Sequence, residues 1–365
     1  MSDGSPSESD RTNSARLLLA GRHALAAELA RSLRELGGVS IGDVVLAVSG
    51  GADSLALLWL GAAIAERSGG DVLGRPVVAH VDHGLRADSS ADASLVERQS
   101  RAAGLPCEVV RVDCRGPGNV SDRARRARYD ALERIARDRG CSAIVTAHHA
   151  EDRLESILIA LGRGRGLESL RSMPARRPLG EGLVLVRPLL RVSKASLSRF
   201  AAHLGLEPAV DPSNADPRRL RARLRELVVP ELESILPGAA SHAGTLAEES
   251  ALATDAIERW LAETFGPPDL STWSRESLAG LPALLRVAGL HRSLRALDPA
   301  AARDVPRRVV EAISDAIGDD EPRPRRWAIG TSLEAEITSA VVRVRRRGDG
   351  DQDPADRHGP RHAAT

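Results

Sequence analysis

The sequence predicts an α/β fold: a doubly wound parallel sheet followed by a smaller, mostly helical C-terminal domain. Three features support this prediction. Up to about residue 215, short apolar runs alternate with longer segments of helical spacing, which is typical of parallel strands joined by helices. Polar clusters follow directly after the predicted strands, where ligands of such sheets bind. Beyond residue 216 the pattern is mainly helical.

The predicted elements of the first region begin with a helix over residues 15–36. The apolar run 44–48 is short enough to be a strand buried on both faces. A helix follows it and is broken by the glycines at 69–70. The remaining predicted elements are strands at 76–81, 108–112 and 142–146 and helices at 91–103 and 121–139.

The later part of the chain is predicted from capping and breaking residues. Asp216 can cap a helix with Pro217 in its first position, and Pro230 marks its predicted end. Further helices are predicted at 241–263, 281–296 and 300–317, with short strands at 327–329 and 340–344. The predicted organisation is a disordered leader (1–14), a sheet domain (15–215), an interdomain helix or linker (216–240), a helical domain with short terminal strands (241–346) and a disordered tail (347–365).

The composition of the chain limits the classes of function that it could have. The 365-residue chain has a net charge of +1, so nucleic-acid affinity must come from local basic patches. Aromatic residues make up 2%, which argues against recognition dominated by base stacking. Cys107, Cys114 and Cys141 form no C-x-x-C pair and predict reduced thiols. With no transmembrane-length apolar run and no signal-peptide core, we expect a cytoplasmic protein without a membrane partner.

The segment Ser49-Gly50-Gly51-Ala52-Asp53-Ser54 lies between the first buried strand and a helix. Glycines allow close backbone approach, and a helix N-terminus adds partial positive charge, so this turn predicts an anion site. It is not a Walker A loop, because Asp53 stands where that loop has its lysine. A metal ion bridging the carboxylate and a phosphate is therefore the expected device.

Two further polar clusters follow predicted strands. Residues 80–86 read HVDHGLR, which is either a nucleotide contact or a polar loop with one satisfied histidine. Residues 146–155 read TAHHAEDRLE, and a helix beginning near His148 would place Asp152 and Glu155 on the same face as that histidine. Such acids can hold a metal or a substrate cation, although a solvated helix N-terminus also favours acids. A zinc site is the least favoured interpretation of this cluster.

Arginine supplies almost all of the positive charge, since Lys194 is the only lysine. Arg125 and Arg128 are one helical turn apart, and a solvated basic face is nearly as good an explanation for them as phosphate binding. Arg163 and Arg165 lie in the glycine-rich stretch 162–166. On the predicted interdomain helix, Arg221 and Arg225 flank an apolar stripe and could face a nucleic-acid backbone.

The ordered set of motifs between residues 44 and 236 resembles the tRNA(Ile)-lysidine synthetases, a family of PP-loop ATP pyrophosphatases. The matching segments are SGGADS, HVDHGLR, ARRARY, TAHHAEDRLES, GRGRGLESL, RPLL with Lys194 just beyond, and DPSNADPRRLRARLR. Each is weak or moderate alone, and together they are specific. The C-terminal region resembles the family only loosely.

The resemblance implies an ATP- and Mg²⁺-dependent ligase. ATP would adenylate the C2 oxygen of the wobble cytidine in the tRNA(Ile) anticodon loop, and free L-lysine would then displace AMP. A homodimer is the assembly that the resemblance suggests. The implied roles are catalysis for Asp53, Asp152 and Glu155, nucleotide binding for Ser49, Gly50, Gly51, Ala52, Asp53, Ser54, Val81, His83 and Lys194, metal binding for Asp53, and tRNA binding for Arg125, Arg128, Arg163, Arg165, Arg221 and Arg225.

The chain departs from the family pattern at three positions. Glu151 and Arg153 flank Asp152 where the family usually reads D-D-Q, and Ala222 stands where it usually has Asn. An added cation at Arg153 would weaken lysine binding if it pointed towards the ammonium site. Two other functions therefore stay open: another PP-loop tRNA-modifying enzyme, and a catalytically degenerate tRNA-binding paralogue.

Overall fold

The computed structural model describes residues 8–37, 42–84, 89–115, 120–209, 219–266, 271–303, 305–319 and 323–348. The chain divides into two compact units, Met1–Glu249 and Ser250–Thr365. This division falls beyond the segment 216–240 that was predicted to join two domains. None of the described helices is long and apolar enough to span a bilayer.

The first unit carries a mainly parallel sheet with helices on both faces. Its elements are α1 Glu8–Arg22, α2 Ala24–Gly37, β1 Val44–Ala47, α3 Ala52–Ser68, β2 Pro76–Asp82, α4 Ser89–Ala102, β3 Cys107–Arg111, α5 Val120–Asp138, β4 Ala143–Thr146, α6 Ala150–Gly162, α7 Leu167–Leu170, β5 Arg176–Gly180, β6 Leu183–Val186, α8 Lys194–His203, α9 Leu220–Arg223, a π-helical turn Leu224–Val228 and α10 Val229–Ile235; α11 Ala239–Phe265 contains the division between the units.

The strand order is β3-β2-β1-β4-β6-β5, with β1 paired in parallel to β2 and β4. Strand β5 is the one antiparallel member and forms the edge of this sheet. Alternation along β1 explains how both faces are covered. Val44 and Leu46 pack into a core with Trp59 and Phe200, whereas Val45 belongs to a separate core with α5. The predicted doubly wound sheet is confirmed, and the carboxyl ends of β1, β2 and β4 lie at one edge.

The N-terminal region differs from the prediction in two ways. Helix α1 begins at Glu8, inside the segment predicted to be a disordered leader. The helix predicted over 15–36 is two helices separated at His23, because the His23 ring accepts a hydrogen bond from the Leu25 backbone N–H and so caps α2. The same ring packs edge-on against Phe200 at 5.0 Å.

The predicted interdomain helix is also interrupted. Pro230 does not end it but lies in the first turn of α10, directly after the π-helical turn. Proline lacks an N–H and its ring clashes with the carbonyl four residues earlier, so a widened turn before it relieves both problems. The proposed cap Asp216 and Pro217 lie outside the described residues, as does the predicted tail from residue 349.

The second unit combines short helices with an antiparallel sheet of order β7-β10-β9-β8. Its apolar core includes Leu290, Ile313, Ile329 and Val344. The predicted mostly helical domain with short strands is confirmed. Its elements are β7 Thr272–Ser274, α12 Arg275–Ala279, α13 Ala283–Leu297, α14 Pro299–Arg303, α15 Arg307–Ile317, β8 Arg325–Ile329, β9 Leu333–Ile337 and β10 Val341–Arg346.

Candidate active site

The glycine loop joins β1 to α3 at the carboxyl edge of the sheet. Gly50 has φ +96°, a backbone conformation that favours glycine, and Gly51 is the N-cap of α3. The Ser54 hydroxyl accepts hydrogen bonds from the Ser49 and Gly50 backbone N–H groups at 3.2 and 3.1 Å and donates one to the Gly51 carbonyl. Two amides expected to face a phosphate are therefore bonded within the loop.

The first turn of α3 remains a candidate anion site. Gly51 provides no side-chain cap for it, so the amides of Ala52 and Asp53 begin a helix of 17 residues without a side-chain acceptor at its N-cap. Such amides, together with the helix dipole, bind phosphate oxygens. The loop could thus cradle a phosphate with fewer amides than the sequence predicted.

His149 lies at the centre of the polar cluster and was not among the predicted site residues. It is buried, and its ring reaches three carboxylates: Glu151 at 3.0 Å, Asp152 at 3.5 Å and Asp53 at 3.7 Å. Burial lowers the pKa of His149, but the hydrogen bond with Glu151 and the charges of Asp152 and Asp53 outweigh it, so the pKa is raised. The imidazole of His149 joins the glycine loop to α6.

The two carboxylate oxygens of Asp53 differ in their contacts. Its Oδ2 lies near His149, whereas Oδ1 is buried without a hydrogen-bond partner among the described residues. Burial raises the pKa of Asp53, and the positive charges of His149 and Lys194 oppose that shift. A buried, unpartnered carboxylate oxygen is costly and would be satisfied by a bound cation.

Asp152 and Glu155 share a face of α6, as predicted, and they bind Arg225. Arg225 donates to Glu155 at 2.8 and 3.2 Å and to Asp152 at 2.9 Å. Glu155 is fully buried and Asp152 is 8% exposed. Arg221 donates to Ser156 of the same helix. The two arginines predicted to face tRNA therefore contact the acidic helix, and Arg225 already neutralises the carboxylates predicted to bind lysine.

Two of the departures from the family pattern, Glu151 and Arg153, form hydrogen bonds with other segments of the chain. Glu151 accepts hydrogen bonds from the Lys194 backbone N–H and from His149. Arg153 is buried and donates to the Gly244 carbonyl and to Glu248. Its guanidinium thus contacts α11 and does not point towards Asp152 and Glu155. The positive charge of Arg153 is therefore not expected to weaken lysine binding at the predicted ammonium site.

The second polar cluster lies at the end of β2. His80 donates from Nδ1 to the Val48 carbonyl at 2.9 Å, which fixes the ends of β1 and β2 together. His83 accepts from Arg128 at 3.1–3.2 Å. Burial and then the charge of Arg128 lower the pKa of His83 to about 4, so it is neutral at physiological pH. Val81 lies within the same strand end, half-buried.

The remaining predicted arginines lie in two places. Arg125 stacks over Tyr129 of α5, with its guanidinium carbon 5.2 Å from the ring centroid. Arg163 and Arg165 are exposed in the loop that ends α6. Lys194 begins α8, and its charge reaches Asp53 strongly enough to oppose the rise in that residue's pKa.

Sequence reasoning missed His149, Arg177 and Arg187. The second histidine of the pair at 148–149 was a signal, because a polar residue directly before a helix can cap it. Arg187 begins the RPLL segment but was assigned no role, and no pattern marked Arg177, which β5 brings to Tyr129. In the part of the chain that the structure describes, no three His, Cys, Asp or Glu side chains are arranged to hold a metal.

Comparison with known proteins places the chain among PP-loop proteins. Residues 23–232 match the PP-loop domain family. A tRNA(Ile)-lysidine synthase from Novosphingobium aromaticivorans is 42% identical over 69% of this chain and 75% of its own length. One from Rhodopseudomonas palustris is 35% identical over 82% of this chain and 87% of its own length. The chain belongs to the tRNA(Ile)-lysidine synthase family. The family predicted from the sequence motifs is thereby confirmed.

A solved structure supports the fold independently. The chain is similar to a U34-tRNA thiolase from Methanococcus maripaludis that carries a [4Fe-4S] cluster, with a TM-score of 0.51 and 17% identity over 61% of this chain and 78% of that one. At that identity the similarity concerns the fold alone. The family sequences, which extend over most of the chain, carry the functional comparison.

Proposed function

We propose that the chain ligates free L-lysine to C2 of the wobble cytidine of tRNA(Ile) with a CAU anticodon, forming lysidine and releasing AMP and pyrophosphate. The observation that best supports this proposal is that two motifs meet: His149 lies near both Asp53 of the SGGADS loop and Asp152 of the acidic helix. This contact supports phosphate chemistry and amine binding at one edge of the sheet. Family membership supplies the substrate class, and we expect the enzyme to act in the cytoplasm.

The chain's residues fit the first half of the reaction. The open first turn of α3 would bind phosphate oxygens of ATP, and His149 would hold the Asp53 carboxylate in place. The buried, unpartnered Oδ1 of Asp53 fits Mg²⁺, which commonly takes one carboxylate and completes its shell with substrate phosphates and water. Bound there, the ion would stabilise charge on the leaving pyrophosphate.

Amine binding must accommodate Arg225. Glu155 uses both oxygens on Arg225, whereas Asp152 Oδ1 accepts one bond and has a second lone pair. We expect the lysine amine to bind at Asp152, beside Arg225 or after Arg225 has moved. Asp152 stays ionised because His149, the hydrogen bond from the His149 backbone N–H and the charge of Arg225 lower its pKa despite its burial. It can therefore orient the amine for attack on C2.

The test is lysidine formation in vitro with purified protein, ATP, Mg²⁺, L-lysine and a tRNA(Ile) transcript. We expect tRNA-dependent ATP–pyrophosphate exchange without lysine, and AMP release with a lysine-modified tRNA when lysine is added. A nucleoside other than lysidine would assign the chain to another PP-loop modification. Tight tRNA binding without turnover would make it a degenerate paralogue, and either result would contradict the proposal.

A further inference from the structure

Three guanidinium groups converge on Tyr129 in the first unit. The guanidinium carbons of Arg125 and Arg177 lie 5.2 and 5.5 Å from the ring centroid. Arg187 donates from Nη1 to the Pro174 carbonyl at 2.6 Å and interacts electrostatically with Tyr129. The arginines come from α5, from β5 and from the residue directly after β6. The fold therefore assembles this cluster from segments that are far apart in the chain.

The cluster is short of negative charge. Within the described residues, none of its three arginines forms an ion pair with a carboxylate. Arg187 is 3% exposed, and its Nε is buried without a hydrogen-bond partner. The face of the Tyr129 ring attracts cations only weakly compared with a full negative charge. Like charges held this close repel each other, and a bound anion would compensate all three.

The cluster lies beside the candidate active site. Arg187 follows the carboxyl end of β6, and His148 follows that of the neighbouring strand β4. Arg187 and Arg125 both act on His148, whose pKa is lowered to about 4, first by burial and also by these charges. His148 directly precedes His149, which contacts Asp53. An anion held by the cluster would therefore lie next to the reacting groups.

We propose that Arg125, Arg177 and Arg187 bind one phosphodiester of the RNA substrate, adjacent to the nucleotide that reacts. Guanidinium groups bind phosphate oxygens through paired N–H donors, and backbone contacts of this kind fix the register of a nucleic acid. The exposed side chains of Arg125 and Arg177 leave the cluster open to a large ligand. This inference rests on the proposed function, and Arg177 and Arg187 are its new residues.

The experiment compares two adjacent arginines of β5. Arg176 and Arg177 are both exposed, but side chains alternate along a strand, so they lie on opposite faces of the sheet. We expect Arg177→Ala to weaken binding of the tRNA(Ile) transcript about tenfold, because a charge-assisted contact is lost. The slope of log K against log salt should fall by about 0.7, the value for one single-strand phosphate. Arg176→Ala should change neither quantity.

Two further measurements separate the outcomes. Arg177→Lys keeps the charge and should restore the salt slope while recovering only part of the affinity. Equal effects of Arg176→Ala and Arg177→Ala would overturn the proposal, even if lysidine is formed. A raised KM for ATP with unchanged tRNA affinity would also overturn it, by assigning the cluster to the nucleotide. If the tRNA is bound through Arg177 but no lysidine forms, the phosphate site stands and the proposed function fails.

Discussion

The two units place their ion pairs in opposite settings. In the first unit, Arg225 bridges Asp152 and the fully buried Glu155. In the second unit, Arg326 pairs with Glu336 at 2.6 Å on a sheet surface, with 63% of the arginine side chain exposed. Both arrangements satisfy the charges, but only the first removes them from water.

This difference indicates where the charge serves chemistry. Burying an ion costs several kcal/mol, and apolar side chains of similar volume are often at least as stabilising, so stability alone does not explain the cluster in the first unit. An exposed pair costs little and contributes little. Buried carboxylates beside a helix N-terminus are expected where a site must bind cations and phosphates out of water.

The largest expected effect follows from removing the Asp53 charge. Asp53→Asn should reduce tRNA-dependent ATP–pyrophosphate exchange by about 10³-fold, because a group that stabilises transition-state charge is lost. Binding of tRNA should stay nearly intact, since Asp53 is directed to His149 and not to an arginine of the basic clusters. Exchange rates and filter binding on the same preparations provide the test. Equal loss of both would show that Asp53 is structural.

The comparison of ion pairs itself predicts unequal stability losses. Arg225→Ala leaves Glu155 buried without its counter-ion and should destabilise the first unit by about 3 kcal/mol. Arg326→Ala should cost less than about 1 kcal/mol. Urea unfolding monitored separately for the two units measures both. Similar losses in the two variants would contradict the interpretation that the first pair is buried and the second solvated.

Local patterns were sufficient to predict strands β1 to β4 and the edge of the sheet at which the candidate site lies. The apolar run before Ser49 and the glycines after it specify strand, turn and helix within one short segment. Asp152 and Glu155 are three residues apart, and helical geometry alone places them on one face. These features depend on neighbours in sequence, which is why reasoning from residues recovered them.

Contacts between distant segments could not be predicted in this way. Arg225 reaches Glu155 across 70 positions, and Arg153 reaches Glu248 across 95. The sequence placed Arg225 where it could face a nucleic-acid backbone and left open whether Arg153 points towards the ammonium site, because periodicity identifies a face but not its partner. The β5–β6 hairpin was missed since 176–180 contains proline and glycine and lacks strand alternation.

Two histidines of the first unit, His149 and His83, should respond to pH in opposite directions. His149 has a raised pKa, so its contribution is present below pH 6.5 and is lost as pH rises through its folded-state pKa. His83 has a pKa lowered to about 4, so it costs stability as pH falls from 6.5 towards 4. Discounted for partial exposure, that cost is at most about 2 kcal/mol. His83→Gln should therefore lose less stability than the parent between pH 6.5 and 4.5 in urea unfolding, and identical curves would contradict the assignment.

The exposed arginines of the α6 loop should give the smallest effect on stability and a measurable effect on binding. Arg163→Ala combined with Arg165→Ala should change unfolding by less than about 0.5 kcal/mol, because both side chains are exposed. If each contacts one phosphate of a single-stranded loop, the salt slope for tRNA binding should fall by about 1.4. Arg98→Ala with Arg101→Ala on α4 removes the same charge from another exposed surface and serves as the control. Equal slopes for the two double variants would remove the α6 loop from the RNA path and leave only the net charge as the cause.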